Sequence, residues 1–375
     1  MSKVKFITLG CKVNQYETQA MRESLRSIGV SEGKEGAQDF VVINTCTVTG
    51  EADRANRYWI RRLRRENPNA KIVITGCWVQ RNRPEVEAIS EVDLVLSNEE
   101  KPNLTNRLFE NSCASPEIQK RGQVSGSKGP RGLSPSSYSP LAISSFQGHR
   151  ARAFIKVQDG CNHACSFCKV VLVRGRSRSR RLPEIAAEAQ RLSDSGYREV
   201  VLAGIQHGAY GFDLKPCLDL TAVLEALSQV NGIERIRLSS IEPTDVKPGL
   251  IQAMKKLPRI CPQLHIPLQS GDDEILKKMN RRYGRKFYLD LIRDLRNEIP
   301  DFCLSMDVMA GFPGEEETHF QNTLSVIEET RPIRVHVFPY SRRPGTRAAA
   351  FDNLPRGILT ERMRRLIQFS NQIIQ

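Results

Sequence analysis

The 375-residue sequence contains no apolar run approaching the roughly 20 residues that a membrane-spanning helix needs. Its opening, Met1-Ser-Lys-Val-Lys-Phe-Ile, has no basic segment followed by an apolar stretch of signal-peptide length, so a cytoplasmic protein with no membrane partner is expected. Negative charge is also scarce: 42 acidic residues stand against 56 basic ones, a formal net charge of +14. That imbalance points to a polyanionic partner, because each phosphate neutralised by Lys or Arg releases counterions. A disulfide framework is excluded on different grounds, since the chain far exceeds the length of small stapled domains and its thiols follow predicted strand ends.

Three of the ten cysteines stand in the run Gly160-Cys-Asn-His-Ala-Cys-Ser-Phe-Cys168. Thiolates hold iron-sulfur clusters, and electron-transfer clusters normally take four cysteines. Cys161, Cys165 and Cys168 converge from one loop yet leave such a cluster one ligand short, and the open iron is where a substrate or cofactor can bind. The bland alternatives are a zinc knuckle, which wants a fourth Cys or His, or three unrelated thiols.

Three further cysteines each follow a predicted strand. Residues 3–9 precede Gly10-Cys11, residues 39–45 precede Cys46, and residues 70–76 precede Cys77. Helical patterns over 15–28 and 52–66 intervene, so the strands should run parallel and bring these three thiols to one sheet edge, outside the carboxyl ends. Gly10 and Gly76 suit close backbone approach to a bulky group. For any one thiol the plain alternative is a small buried hydrophobe. Cys113, Cys217, Cys261 and Cys303 show no ligand spacing and read as structural.

The chain divides into residues 1–110, an α/β domain ending in the helical pattern 104–110; residues 111–149, a Ser-, Gly- and Pro-rich linker; and residues 150–375. In the last part, strands are expected over 151–157, 199–205, 235–241, 264–269, 303–310 and 333–340, separated by helices such as 183–193 and 272–279. Six β/α units imply a parallel, partly closed barrel whose active site lies on the strand C-terminal face. The cysteine triplet follows the first of those strands. Arginines cluster beside both cysteine sets: Arg54, Arg57, Arg61, Arg62, Arg64 and Arg65 on one helix, and Arg174, Arg176, Arg178, Arg180 and Arg181 after the triplet. The first set reads as a solvated face or a phosphate-binding one. The second alternates with Gly and Ser, as in an extended strand gripping phosphates or a carboxylate.

Gly10-Cys-Lys-Val-Asn-Gln-Tyr-Glu-Thr18, Asn44-Thr-Cys-Thr-Val-Thr49, Gly76-Cys-Trp-Val-Gln80, the triplet, His265-Ile-Pro-Leu-Gln-Ser-Gly271 and Gly311-Phe-Pro-Gly-Glu315 together resemble the radical S-adenosylmethionine (SAM) methylthiotransferases, over nearly the whole chain. The resemblance implies two 4Fe-4S clusters, one on Cys161, Cys165 and Cys168 that binds SAM, and one on Cys11, Cys46 and Cys77 that carries the sulfur. The run after Cys11 and Glu51-Ala-Asp-Arg54 resemble the branch that modifies carbon 2 of N6-threonylcarbamoyladenosine at position 37 of tRNA. The runner-up is the branch acting on N6-isopentenyladenosine, and a non-catalytic metal-containing nucleic-acid-binding protein is a rival from another class.

By the same resemblance, Gly204, Ser239, Glu242 and Gln269 contact SAM, and Arg174, Arg176 or Arg178 meets the substrate's carboxylate. A flavodoxin- or ferredoxin-type reductant and a monomeric state are expected. Two departures stand out: Val171 occupies a position where the family commonly has proline, and the sequence stops at Gln375, where members usually continue into a small RNA-binding β-barrel.

Overall fold

Val41-Val-Ile43 and Ile72-Val-Ile74 are fully buried, as expected of strands covered on both faces. In this computed structural model, which describes residues 2–33, 36–109, 143–145 and 152–374, they are the centres of β3 (Phe40–Thr45) and β4 (Lys71–Gly76). With β1 (Lys3–Thr8), β2 (Ser31–Glu32) and β5 (Leu94–Leu96) they form a parallel sheet in the order β2-β1-β3-β4-β5. Alternation sends Val41, Ile43, Ile72 and Ile74 to one face, against Ile60 and Leu63 of α2 (Gly50–Glu66) and Trp78 of α3 (Cys77–Glu87). Val42 and Val73 face the other way, against Met21 and Leu25 of α1 (Lys12–Arg26) and Leu104 and Leu108 of α4 (Leu104–Phe109). Each fully buried aliphatic side chain contributes about 1.5–3 kcal/mol, so the doubly covered sheet fixes where its strand ends lie.

The second unit holds six parallel strands: β6 (Arg152–Lys156), β9 (Glu199–Ala203), β10 (Arg235–Leu238), β11 (Gln263–His265), β12 (Cys303–Ala310) and β13 (Arg334–Pro339). They pair as β10-β9-β6 and β11-β12-β13, and a parallel bridge from Ser240 to His265 joins the two sets. This is the expected partial barrel, open between β6 and β13. A short antiparallel pair, β7 (Gln158–Asp159) with β8 (Arg178–Ser179), stands above β6. The predicted linker over 111–149 lies outside the described residues, apart from Ile143 to Ser145.

Helix α1 belongs to both units. Its Met21 and Leu25 pack on the N-terminal sheet, while Tyr16 and Ala20 join the barrel's core with Ala153, Ile155 and Ile185. The Tyr16 hydroxyl donates to Glu188 at 3.0 Å, and the buried Arg180 guanidinium lies 2.8 Å from that carboxylate. The N-terminal unit is thereby seated along the β6 edge of the barrel.

Candidate active site

Cys11, Cys46 and Cys77 stand where the strand-then-cysteine pattern puts them, at the carboxyl ends of β1, β3 and β4. Asn14 ties two of these ends together, donating from its side chain to Leu9 O at 2.7 Å and Thr45 O at 3.0 Å, while Asn44 Nδ2 donates to Asn14 O at 2.9 Å. Asn56 holds the Cys46 carbonyl at 2.7 Å, and Thr45 Oγ1 donates to Thr75 O, joining β3 to β4. Gly10 and Gly76 have φ of +94° and +104°. A Cβ on Gly76 would meet Thr45 O at 2.4 Å, and one on Gly10 would meet the Cys46 side chain at 2.7 Å. The glycines therefore also serve close packing of the protein against itself at the strand ends.

The barrel triplet lies on the loop after β7. Gly160 turns it at φ +72°, its N–H donating to Asp159 Oδ1 at 2.8 Å, and Cys161 N donates to Gly175 O at 3.0 Å. The far side is pinned by Ser166, whose N–H donates to Met279 O and whose hydroxyl donates to Lys278 O. Arg281 reaches Cys165 Sγ at 3.2 Å, and Gln206 Oε1 lies 3.2 Å from Cys161 Sγ.

Burial pushes the thiols of Cys46 and Cys161 up to about 11 and that of Cys168 up to about 12, with the neighbouring thiols adding to the rise. Such thiols become thiolates readily only beside a cationic centre, which iron supplies. Among the described residues no three His, Cys, Asp or Glu side chains converge on a single metal ion. Three thiolates leave a tetrahedral zinc site one ligand short, whereas a four-iron cluster takes each thiolate at a different iron.

The two cysteine sets are neighbours. Arg174 Nε lies 3.2 Å from Cys77 Sγ, and Lys169, next to Cys168, reaches Thr47 Oγ1, next to Cys46, at 3.5 Å. From the loop after β13, Arg343 Nη2 also donates to Thr47 Oγ1 at 3.1 Å and pairs with Asp53. Beneath them lies a buried ion network across the seam: Glu17 of α1 pairs with Lys101, Lys156 and Arg174, and Lys156 also holds Asp159 at 2.8 Å. Burial alone would raise the Glu17 carboxyl, but Arg174, Lys101 and Lys156 outweigh it and hold the group well below the usual carboxylate range. Sequence reading missed Glu17, Lys101, Lys156, Asp159 and Arg281, because their partners are brought to them only by the tertiary fold.

Only part of the arginine run after the triplet is extended as alternation suggested, namely Arg178 in β8, and Arg174 lies outside it. Residues 170–174 are helical, and Arg174 is buried with its guanidinium engaged by Glu17, Asn14 and Asp159. Arg178 is half-buried at 3.8 Å from Asp159, and Arg176 is exposed. On α2, Arg57 pairs with Glu85, Arg62 with Glu66, and Arg64 donates to three backbone carbonyls, whereas Arg54, 3.9 Å from Glu51, lines one exposed face with Arg61 and Arg65.

The four expected SAM contacts differ in what already engages them. Gly204 packs on His207, and the two following backbone amides donate to Gln158 Oε1 at 3.0 and 2.8 Å. Ser239 Oγ is 3.5 Å from His207 Nδ1, and the Glu242 carboxylate is paired with Arg281. Gln269 adopts φ +64° with its Oε1 buried and unpartnered, a strained posture that suits a group aimed at a ligand.

Residues 155–327 match the model of the Radical SAM superfamily, and residues 3–97 match the one described as Uncharacterized protein family UPF0004. A Chlamydia pneumoniae protein named threonylcarbamoyladenosine tRNA methylthiotransferase MtaB is 39% identical over 99% of this chain and 82% of its own length. The Bacillus subtilis protein of the same name is 38% identical over 100% of this chain and 81% of its own. A Saccharopolyspora erythraea protein named tRNA-2-methylthio-N(6)-dimethylallyladenosine synthase is 35% identical over 98% of this chain and 74% of its own. Among solved structures, the radical S-adenosylmethionine methyltransferase TsrM from Kitasatospora setae shares the fold, with a TM-score of 0.60 at 15% identity over 93% of this chain and 77% of that one. The two three-cysteine sets on this scaffold and these relatives agree: the chain belongs to the radical SAM methylthiotransferase family.

Proposed function

We propose that the protein places a methylthio group on carbon 2 of N6-threonylcarbamoyladenosine at position 37 of tRNA, in the cytoplasm. The observation that carries this reading is the adjacency of the two cysteine sets: Lys169, beside Cys168, reaches Thr47, beside Cys46, and Arg174, six residues after Cys168, reaches Cys77 itself. In it, Cys161, Cys165 and Cys168 hold a 4Fe-4S cluster that binds SAM, and Cys11, Cys46 and Cys77 hold a second. When bound, the clusters supply one-electron cleavage of SAM and the sulfur to be transferred.

The chain's own residues orient and exclude. Asn14 and Asn56 fix the strand ends that carry Cys11 and Cys46, and Arg281 holds Cys165 while neutralising Glu242. Helix α1 and the buried ion network seal the β6 side of the barrel against water. Residues 1–110 act as the cluster-bearing domain and 150–375 as the catalytic barrel, joined by the 111–149 linker. Electrons come from a flavodoxin- or ferredoxin-type protein, and the chain acts as a monomer. The branch is supported by relatives at 36–39% identity that bear the threonylcarbamoyladenosine name, against 34–35% for those named for the dimethylallyl substrate.

Mass spectrometry of tRNA nucleosides from cells lacking the protein, with and without its restoration, tests the reading. Loss of 2-methylthio-N6-threonylcarbamoyladenosine with build-up of its unthiolated precursor is expected. Loss of the isopentenyl derivative instead would overturn the substrate assignment.

A further inference from the structure

Each cysteine set has an arginine against one of its thiols. Arg281 Nη1 lies 3.2 Å from Cys165 Sγ, and Arg174 Nε lies 3.2 Å from Cys77 Sγ. Their counter-charges differ. Arg281 is matched by a single carboxylate, that of Glu242. Arg174 stands in a group of five charged side chains, none more than 10% exposed, in which Arg174, Lys101 and Lys156 meet Glu17 and Asp159. Among the described residues, three buried cations therefore face two carboxylates, and Arg178 adds a fourth cation from the half-buried edge, 3.8 Å from Asp159. A buried charge without a counter-ion is strongly penalised, so an anion belongs beside this network.

The bonds of Arg174 show where that anion sits. Nη1 donates to Glu17 and Asp159, and Nη2 donates to Glu17 and Asn14 Oδ1. The guanidinium is a rigid planar fork, so these bonds fix the direction of the remaining Nε–H, and it points at Cys77 Sγ. Asn14 is itself tied to Leu9 O and Thr45 O, the strand ends that carry Cys11 and Cys46. The contact with Cys77 is therefore built into the same frame that positions all three thiols.

Reduction potentials of iron-sulfur clusters follow net charge and hydrogen bonds to the sulfurs. An added electron makes a cluster more negative, so a cation held against a ligand sulfur in a low-dielectric interior favours the reduced form. We propose that Arg174 is a positioning residue that raises the reduction potential of the cluster on Cys11, Cys46 and Cys77, with Glu17 as the opposing charge that limits the rise. The proposal rests on the two-cluster reading given above and goes beyond it. The seam between the two units then also sets how readily the N-terminal cluster accepts an electron, separately from the barrel cluster.

The test uses the full chain with Cys161, Cys165 and Cys168 replaced by Ala, so that only the N-terminal set binds a cluster, reconstituted anaerobically and followed by EPR through a redox titration. In that background Arg174→Gln should lower the midpoint by at least the equivalent of a tenfold change in the reduction equilibrium, about 59 mV for one electron. Glu17→Gln should raise it, and Arg174→Lys, which keeps the charge, should recover part of the loss. With Cys11, Cys46 and Cys77 replaced by Ala instead, the same substitutions should move the barrel cluster less. A second measurement needs no change at Arg174, whose variants can lose the fold: with arginine carrying 15N at Nε alone, pulsed EPR of the reduced N-terminal cluster should show a coupling to that nitrogen. The proposal is overturned by an unchanged midpoint in Arg174→Gln, by shifts of one sign in Arg174→Gln and Glu17→Gln, by equal shifts at both clusters, or by absence of the 15N coupling. Failure of the first background to hold about four irons would instead remove the cluster reading on which the proposal stands.

Discussion

Arg174 Nε sits 3.2 Å from Cys77 Sγ, although 97 residues separate them. The same guanidinium is held by Glu17 and Asp159, so one side chain from the barrel touches the N-terminal cysteine set and closes the seam. Arg174→Met would leave two buried carboxylates short of a partner. Breaking a buried pair from one side costs about 3–5 kcal/mol, and urea unfolding of the variant should show a loss of that size. An unchanged midpoint would show that Arg174 does not hold the two units together.

The same network predicts an acid limb of stability. Glu17 is held well below its unfolded value by Arg174, Lys101 and Lys156 despite its burial. A carboxyl whose folded pKa is depressed contributes stability that is present above its unfolded pKa, near 4.3, and disappears as pH falls further. Unfolding free energy measured from pH 6 downward should therefore decline below about 4.3, and Glu17→Gln should flatten that decline while lowering stability at neutral pH. Equal slopes in the two proteins would count against the network.

Part of this arrangement was legible in the sequence and part was not. The strand-then-cysteine repeats survive intact because Val41-Val-Ile43 and Ile72-Val-Ile74 can only be strands buried on two faces, and strand ends then dictate where Cys46 and Cys77 stand. The barrel strands were readable from their recurrence between helical patterns, although β10 and β13 are not buried on both faces. Arg174 was misread because charge next to Gly and Ser looks solvent-exposed in one dimension; its burial depends on Glu17, 157 residues earlier in the chain. Asn14 stood within the run after Cys11 that carried the resemblance, but its ties to Leu9, Thr45 and Asn44 exist only once β1 and β3 lie side by side beneath α1.

Iron content should divide by cysteine set. Replacing Cys161, Cys165 and Cys168 together with Ala should leave about four irons per chain, as should replacing Cys11, Cys46 and Cys77, and the sixfold variant should retain essentially none. Iron and sulfide analysis of anaerobically reconstituted protein checks this. Full iron in either triple variant would refute the assignment of that set.

At Gly76, φ of +104° and a Cβ position 2.4 Å from Thr45 O leave no room for a side chain. Gly76→Ala should lower unfolding free energy by about 3 kcal/mol or more, since strain and backbone overlap add. Gly29 shares the left-handed conformation at φ +87° but has nothing within 4 Å, so Gly29→Ala should cost only about 1 kcal/mol. Thermal unfolding of the metal-free proteins makes the comparison without cluster loss intervening.

Arg54, Arg61 and Arg65 form the exposed arginine row of α2. If they meet tRNA phosphates, replacing all three with Gln should reduce the slope of log affinity against log salt by about 2–3. The corresponding Arg57, Arg62 and Arg64 replacements should change stability more than that slope, because Glu85, Glu66 and backbone carbonyls already occupy them. Filter binding across a salt series decides between the rows.

The partners of Glu17 also set a timetable for synthesis. Lys156 and Arg174 lie 139 and 157 residues downstream of Glu17, and Glu188, which holds Tyr16, lies 172 residues beyond that tyrosine. At about 5–20 residues per second, α1 leaves the ribosome roughly 10–30 s before the groups that complete it. During that interval the face of α1 destined for the barrel, with Tyr16 and Glu17 upon it, is exposed on a nascent chain whose own sheet could already be assembled. The finished seam thus makes the docking of α1 wait for β6 and the helix bearing Glu188, while β9 to β13 are still to be made.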